Sequence, residues 1–265
     1  MWTARLRAPR DTHNLSKTEI SLSHSFNTAL RRCAQWALAA TLMGAMAGAL
    51  AQSRNLAPGF TTLPKDAKVV VAPLDVELFE LSAGGVMAPK ADWTDAANKH
   101  MGAALTRKTS SLGLASQALS ESAADEHAEL LHLYGAVARA VSMHHMGAFK
   151  LPTKEDKLEW SFGDSLRPLA QASGARYGLF TWVRDSYASA ERKVMMVGLA
   201  ILGVGIGGGA QVGYASLVDL ETGQVLWFNQ LISMMGDLRD EKSAVASVDN
   251  LLAGFPGSAA LTAAK

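Results

Sequence analysis

The stretch Gln211-Val-Gly-Tyr-Ala-Ser-Leu-Val-Asp-Leu220, Glu221-Thr-Gly223, Gln224-Val-Leu-Trp-Phe-Asn-Gln-Leu-Ile-Ser233 decides the fold class. Two runs rich in β-branched and aromatic residues flank a three-residue loop, and its glycine suits a positive φ, so the stretch reads as a hairpin. Upstream, Tyr177, Leu179, Thr181 and Val183 alternate with Gly178, Phe180, Trp182 and Arg184, the period of two of another strand. Trp182, Trp227 and Phe228 read as core and cross-strand packing rather than a ligand cage.

Outward from these strands the period changes. Ala67-Lys-Val-Val-Val-Ala-Pro-Leu-Asp75 predicts a buried strand that stops at Pro73. Thr94 is placed to cap a helix through Lys108, with Ala97, Met101, Ala104 and Leu105 on one face. A longer helix is expected from about Ala124 to Met146, on Leu130, Tyr134, Val137 and Val141. A short one runs from Asp164 to Ser173, where Gly174 ends it. Asp240–Phe255 forms the last, with Val245, Val248, Leu251 and Leu252 inward. The fold class is α+β, a sandwich of helices packed on a largely antiparallel sheet. Residues 52–66, with Pro58, Gly59 and Pro64, read as a linker, 67–256 as a single domain and 257–265 as a tail.

Residues 1–51 read as a presequence. Arg31 and Arg32 precede a charge-free run, Cys33 to Ala51, that ends in Ala49-Leu50-Ala51 before Gln52, the three parts of a signal peptide over 31–51. Export with cleavage near Ala51 follows, to the periplasm or the outer membrane. Met1–Leu30 is too long and polar for an n-region, and an over-extended start site is the expectation. The only cysteine, Cys33, leaves with the leader, and no lipid-bearing cysteine follows the small residues. The six basic and two acidic side chains of residues 1–51 leave 19 basic against 22 acidic in the rest. A chain of that balance has no basic excess to neutralise phosphates, so nucleic acid is excluded as a partner.

One segment resists a bland reading. Val194–Ala210 carries no charge and six glycines, Val-Met-Met-Val-Gly-Leu-Ala-Ile-Leu-Gly-Val-Gly-Ile-Gly-Gly-Gly-Ala. A water-facing loop is not so apolar, and a core helix does not hold six residues each costing about 1 kcal/mol against alanine. Three readings stand: a buried strand and turn, a flap that contacts membrane or builds an oligomer, and a spanning helix with Gly203 and Gly207 on a small-residue face. The candidate contact residues are Val194, Met195, Met196, Leu199, Ile201, Leu202, Gly203 and Gly207.

Enzyme motifs are formal only. Gly203-Val-Gly205-Ile-Gly207-Gly208 spells a dinucleotide fingerprint, but the ten residues to Asp219 leave no room for a helix and a second strand. Gly163-Asp164-Ser165-Leu166 spells a hydrolase signature, yet the last histidine, His145, precedes Ser165, and a serine without a base is a weak nucleophile. His127 and His132 are five apart and His144 and His145 diverge, so neither pair has helical metal-ligand spacing. No catalytic residue, metal ligand or cofactor is assigned.

Gly174-Ala-Arg-Tyr-Gly-Leu-Phe-Thr-Trp-Val183, followed by Ala215-Ser-Leu-Val-Asp-Leu-Glu-Thr-Gly-Gln-Val-Leu-Trp227, resembles a pattern in bacterial envelope proteins. These are the curli-secretion-channel-like lipoproteins and the related penicillin-binding-protein activator and TolB N-terminal folds; Val69-Val-Val-Ala-Pro-Leu74 is similar to their first strand. The likeness covers about a quarter of the domain. It implies an α+β envelope domain that works by assembly or protein binding, with no catalytic residues to carry over, while the missing cysteine sets this chain apart. The expectation is a non-enzymatic exported envelope protein that engages another envelope protein, its own copies or the membrane. The alternatives are an exported hydrolase and a protein anchored by a span at 194–210.

Overall fold

The computed structural model describes residues 54–257. The presequence over 1–51 with its cleavage site, residues 52 and 53, and most of the tail, 258–265, lie outside the described residues.

The strand read from alternation is the axis of the sheet and is longer than its period-two core, running as β5 over Tyr177–Ala188 once β1 (Lys68–Val71), β2 (Asp75–Leu81), β3 (Met87–Pro89) and β4 (Ala115–Ala118) are counted. The hairpin forms as expected. β6 (Gln211–Asp219) lies antiparallel to β5 from Tyr177↔Asp219 to Asp185↔Gln211, and β7 (Val225–Ser233) lies antiparallel outside β6. Gly223 takes φ +68°, and a Cβ there would stand 2.0 Å from the carbonyl oxygen of Gly163, so the loop needs glycine for both conformation and space.

On its other side β5 meets two strands in succession. β1 and β2 both run parallel to it, with Val71 opposite Leu179 and Asp75 opposite Trp182, so one extra residue bulges at the Ala72-Pro73-Leu74 break. Pro73 has no N–H for the ladder, which stops β1 as its sequence predicts. β4 adds parallel to β1, and β3 antiparallel to β2. The class is α+β and the sheet is mixed: β1 and β2 on β5 and β4 on β1 pair in parallel, while β3 on β2, β6 on β5 and β7 on β6 pair antiparallel. The short segments Met-Ala-Pro and Ala-Ser-Gln-Ala have little β propensity, so their pairing is invisible to pattern.

Helices cover both faces. On one, α1 (Ala91–Ser111) and α6 (Glu241–Leu251) pack Ala97, Met101, Leu105, Ala244 and Val248 against Val69, Leu78, Leu179, Val183 and Leu217. On the other, α3 (Ala128–Val141) and α4 (Arg167–Ser173) set Tyr134, Val141 and Leu169 against Val70, Phe180, Val218 and Phe228. Residues Tyr177–Val183 are therefore buried on both sides, not alternately.

Several helix ends differ from expectation. Thr94 is not the cap of α1, which starts at Ala91; its hydroxyl instead accepts from the Leu78 amide at 2.9 Å and ties the helix to β2. The single helix expected from Ala124 to Met146 is interrupted. Ser120 caps a separate turn, α2 (Glu121–Glu126), by accepting from Ala123 N, α3 follows after His127, and the chain widens into a π turn over Ser142–Met146. Asp164, expected to begin the short helix, sits instead in the 3-10 turn Gly163–Leu166 before it and pairs with Arg167 at 3.1 Å. Asp240 does cap α6, accepting from Ser243 N at 3.0 Å, and Gly174 ends α4 at φ +63°. The last helix stops at Leu251, and Phe255 beyond it packs edge-on against Trp227.

Residues 54–66, within the segment read as a linker, lack extended regular structure but are packed. Leu56 bridges Trp227, Ala57 N donates to Leu226 O at 2.8 Å, and Leu63 is fully buried.

Candidate functional site

After β5 the chain turns at Ser189, whose hydroxyl accepts from Arg192 N and opens α5 (Ala190–Ile201). Gly203, at φ +78°, ends the helix, and an irregular glycine strand returns to β6. Gly209 closes the return at φ +139°, where a Cβ would stand 1.8 Å from Ser186 O, so no other residue fits.

This geometry overturns two of the three readings of Val194–Ala210. The segment is not a buried strand: Val194 is 74% exposed, Ile201 81% and Leu202 75%. Nor is it a spanning helix, since α5 holds 12 residues, about 18 Å at 1.5 Å each against a hydrocarbon core of about 30 Å. Among the described residues no helix is long and apolar enough to cross a membrane. What forms is an exposed flap.

The candidate residues divide by face. Val194, Ile201 and Leu202 point outward; Met195, Met196 and Leu199 are half-buried on the inner side, with the Met196 methyl against Gly208. Gly203 ends the helix, and Gly207 offers its carbonyl to Arg192 Nε at 2.9 Å. Sequence reasoning missed the neighbours that fold brings to the same end. Val197 and Val204 belong to the flap, Val86 and Met87 come from the β2–β3 turn and the start of β3, Ile232 from the end of β7, and Met234 and Met235 from the residues just after it, all exposed. Arg192 Nη1 donates to Ser82 O at 3.2 Å, and the Met234 methyl lies against Gly207, which join the three segments. The available signal was charge: residues 82–89 and 229–236, like 194–210, contain no ionisable side chain.

Beneath this apolar end lies a buried polar chain. Asp185 is 3% exposed, and its carboxylate accepts from Ser186 N at 2.7 Å, Tyr187 Oη at 2.5 Å and Gln211 Nε2 at 3.1 Å. Gln211 in turn accepts from Ser247, and Tyr187 Oη accepts from Leu238 N. Burial pushes the Asp185 carboxyl up to about 6, and raises the Tyr187 phenol as well. The chain locks the roots of the flap to α6 and to the loop before it.

Beside it, the part of the sheet that α3 leaves uncovered forms an open groove of about 830 Å³ lined by Asp75, Phe79, His132, Trp182 and Tyr214 among others. Trp182 stacks on Tyr214 at 5.1 Å and has the guanidinium groups of Arg139 and Arg184 at 5.6 and 4.5 Å from its ring centroid; Arg184 is held by Asp75 at 2.6 Å and Glu77 at 3.2 Å. Trp227 and Phe228 are core residues.

The motifs find no active geometry. Gly203–Gly209 runs straight into β6, so no helix N-terminus follows the glycines to receive a pyrophosphate. Ser165 is exposed in its 3-10 turn. His127 lies between α2 and α3, His144 stacks on Trp160, and buried His145 donates from Nε2 to Arg54 O at 2.7 Å, with burial lowering its pKa. Among the described residues no group of three His, Cys, Asp or Glu is placed to hold a metal.

No family model matches the sequence. No curated protein matches it either. Among solved structures the chain is similar to the PelC dodecamer from Paraburkholderia phytofirmans, at 13% identity over 75% of this chain and 93% of that one, TM-score 0.34. It is also similar to the LpoB C-terminal domain from Salmonella enterica (12%, 68% and 88%, TM-score 0.27) and to lipoprotein GNA1162 from Neisseria meningitidis (15%, 63% and 81%, TM-score 0.26). Likenesses at these scores establish neither fold nor role, and the functional reading rests on this chain's own residues.

Proposed function

We propose that this chain is an exported, non-enzymatic envelope protein, periplasmic or associated with the outer membrane, that works by docking through its apolar end. One observation carries the reading: three uncharged segments, distant in sequence, present Val86, Val194, Val197, Ile201, Leu202, Met234 and Met235 to solvent at one end of the sheet. Soluble proteins seldom expose contiguous apolar surface without a use for it, and such a patch marks contact with another protein, another copy or a membrane. Export is supported by the leader pattern over 31–51.

The test is fractionation of expressing cells with intact protein and with a variant in which Val194–Gly209 is replaced by a short polar linker. The intact protein is expected in the membrane or high-mass fraction and the folded variant as a free monomer; identical behaviour of the two removes the docking reading. N-terminal sequencing of the recovered protein is expected to begin at Gln52, and a sequence beginning upstream of Cys33 removes cleavage.

A further inference from the structure

We infer that the surface this end engages is the lipid bilayer, which it enters at the interface without crossing. This inference rests on the docking reading above and names its partner.

The choice between lipid and protein follows from what the end lacks. Protein interfaces centre on aromatic and arginine anchors, which fit shaped pockets and give directional bonds. Residues 82–89, 194–210 and 231–236 contain no aromatic and no charged side chain. The arginine at the base of the flap, Arg192, is turned inward, onto Gly207 O and Ser82 O. Ser233 is likewise spent on the backbone of Met235. What faces outward from these segments is valine, isoleucine, leucine, methionine and glycine, with the exposed Glu191 and Lys193 of opposite sign at the start of α5, a surface matched to an apolar phase with a charged rim.

Depth is limited by the backbone. Val194, Val197 and Ile201 recur at i, i+3 and i+7 and form an outward stripe along α5, while Met195, Met196 and Leu199 hold its inner side to the protein. Such a helix lies in the interface plane with its stripe among the upper acyl chains, roughly 5–10 Å deep. Among the described residues the amides of Gly205, Ile206, Gly207, Gly208 and Gly209 donate to no acceptor in the chain. Hydrocarbon leaves such groups unsatisfied, whereas water and headgroups do not, so the glycine return stays at headgroup level. The exposed Glu191 and Lys193 in the first turn of α5 carry opposite charges, so the outward surface has no net charge and binding is insensitive to salt and to anionic lipid.

The experiment is flotation of the exported protein with vesicles of phosphatidylcholine and of phosphatidylcholine with phosphatidylglycerol, at low and high salt, together with sedimentation velocity without lipid. The comparison is V197D/I201D, two exposed positions whose substitution leaves packing intact, with circular dichroism to confirm the fold. The expected result is flotation of the parent protein with both vesicle types at both salt concentrations, and a partition coefficient lower by on the order of tenfold or more in the variant. Flotation of both proteins alike, or of neither, overturns the inference. Flotation only with anionic vesicles at low salt also overturns it. If neither floats but the parent sediments as an oligomer that V197D/I201D dissociates, the lipid inference fails and docking stands with a second copy as its partner. If the substitutions change nothing in either measurement, both fall.

Discussion

Asp185 illustrates how a single residue shapes the stability of the whole chain. Its carboxyl titrates near 3.8 when unfolded and near 6 when folded, facing Tyr187, Asp237 and Arg239. Between these values the native state holds more protons, so this group's contribution to stability falls as pH rises from about 4 to about 6 and is level above, where both states are charged. The cost of the buried charge is on the order of 3 kcal/mol. Asp185→Asn is therefore expected to gain stability relative to the parent as pH rises through that window, read from urea midpoints at pH 4, 5, 6 and 7; a constant difference would remove the assignment. Gly223 gives a second expectation. Its φ of +68° alone costs an alanine about 1 kcal/mol, and the Gly163 carbonyl 2.0 Å from the new Cβ adds to it. Gly203→Ala, at φ +78° with open space around it, carries only the first cost. The two midpoints should differ, with Gly223→Ala the lower by more than about 1 kcal/mol. The glycine at 223 was legible from its place in the hairpin loop. Asp185 was not, because nothing in Arg184-Asp185-Ser186 announces that Gln211 and Tyr187 will converge on it.

At the scale of elements, α5 holds a 12-residue helix that is apolar on both its inner and outer faces. The protein supplies an apolar neighbour to the inner face and leaves Val194, Val197 and Ile201 on the outer face exposed. Val197→Ser and Ile201→Ser are expected to leave the unfolding midpoint within about 0.5 kcal/mol of the parent, because they remove no packed contact. They should also lower binding of the dye ANS, which reports exposed apolar surface; a stability loss above 1 kcal/mol would show the stripe to be packed. The sequence marked this segment as unusual through its six glycines and missing charges. It could not say that the helix ends at Ile201, since that depends on the left-handed turn at Gly203 and the return that Ser186 fixes at Ala210. The longer helix was misread for a similar reason. Leu130, Tyr134, Val137 and Val141 set a true period, but Ser120 caps a separate turn and His127 breaks the run.

For the whole molecule, the decisive fact is that β5 is buried on both sides. Leu179 points to the layer of α1 and α6, Phe180 to that of α3 and α4, and both are fully or almost fully buried. Leu179→Ala and Phe180→Ala are each expected to cost on the order of 3 kcal/mol, in one cooperative transition, measured by urea unfolding. A sheet with one wet face would make one of them nearly silent. The two layers also leave one end uncovered, and the apolar segments from three parts of the chain gather there.

The sequence by itself determined the hairpin of β6 and β7, the stop of β1 at Pro73, the apolar faces of α1, α3 and α6, the α+β class, and the singularity of Val194–Ala210. These are local matters, set by side-chain period, turn chemistry and charge, and they act within about a dozen residues. Only the tertiary structure decided that β1 and β2 line the same edge of β5, that Asp185 meets Gln211 and Tyr187, and that Val86, Ile201 and Met235 share one exposed end. Those juxtapositions join residues up to 150 positions apart, and they are fixed by the pairing of strands and the closing of two cores, which no local pattern encodes.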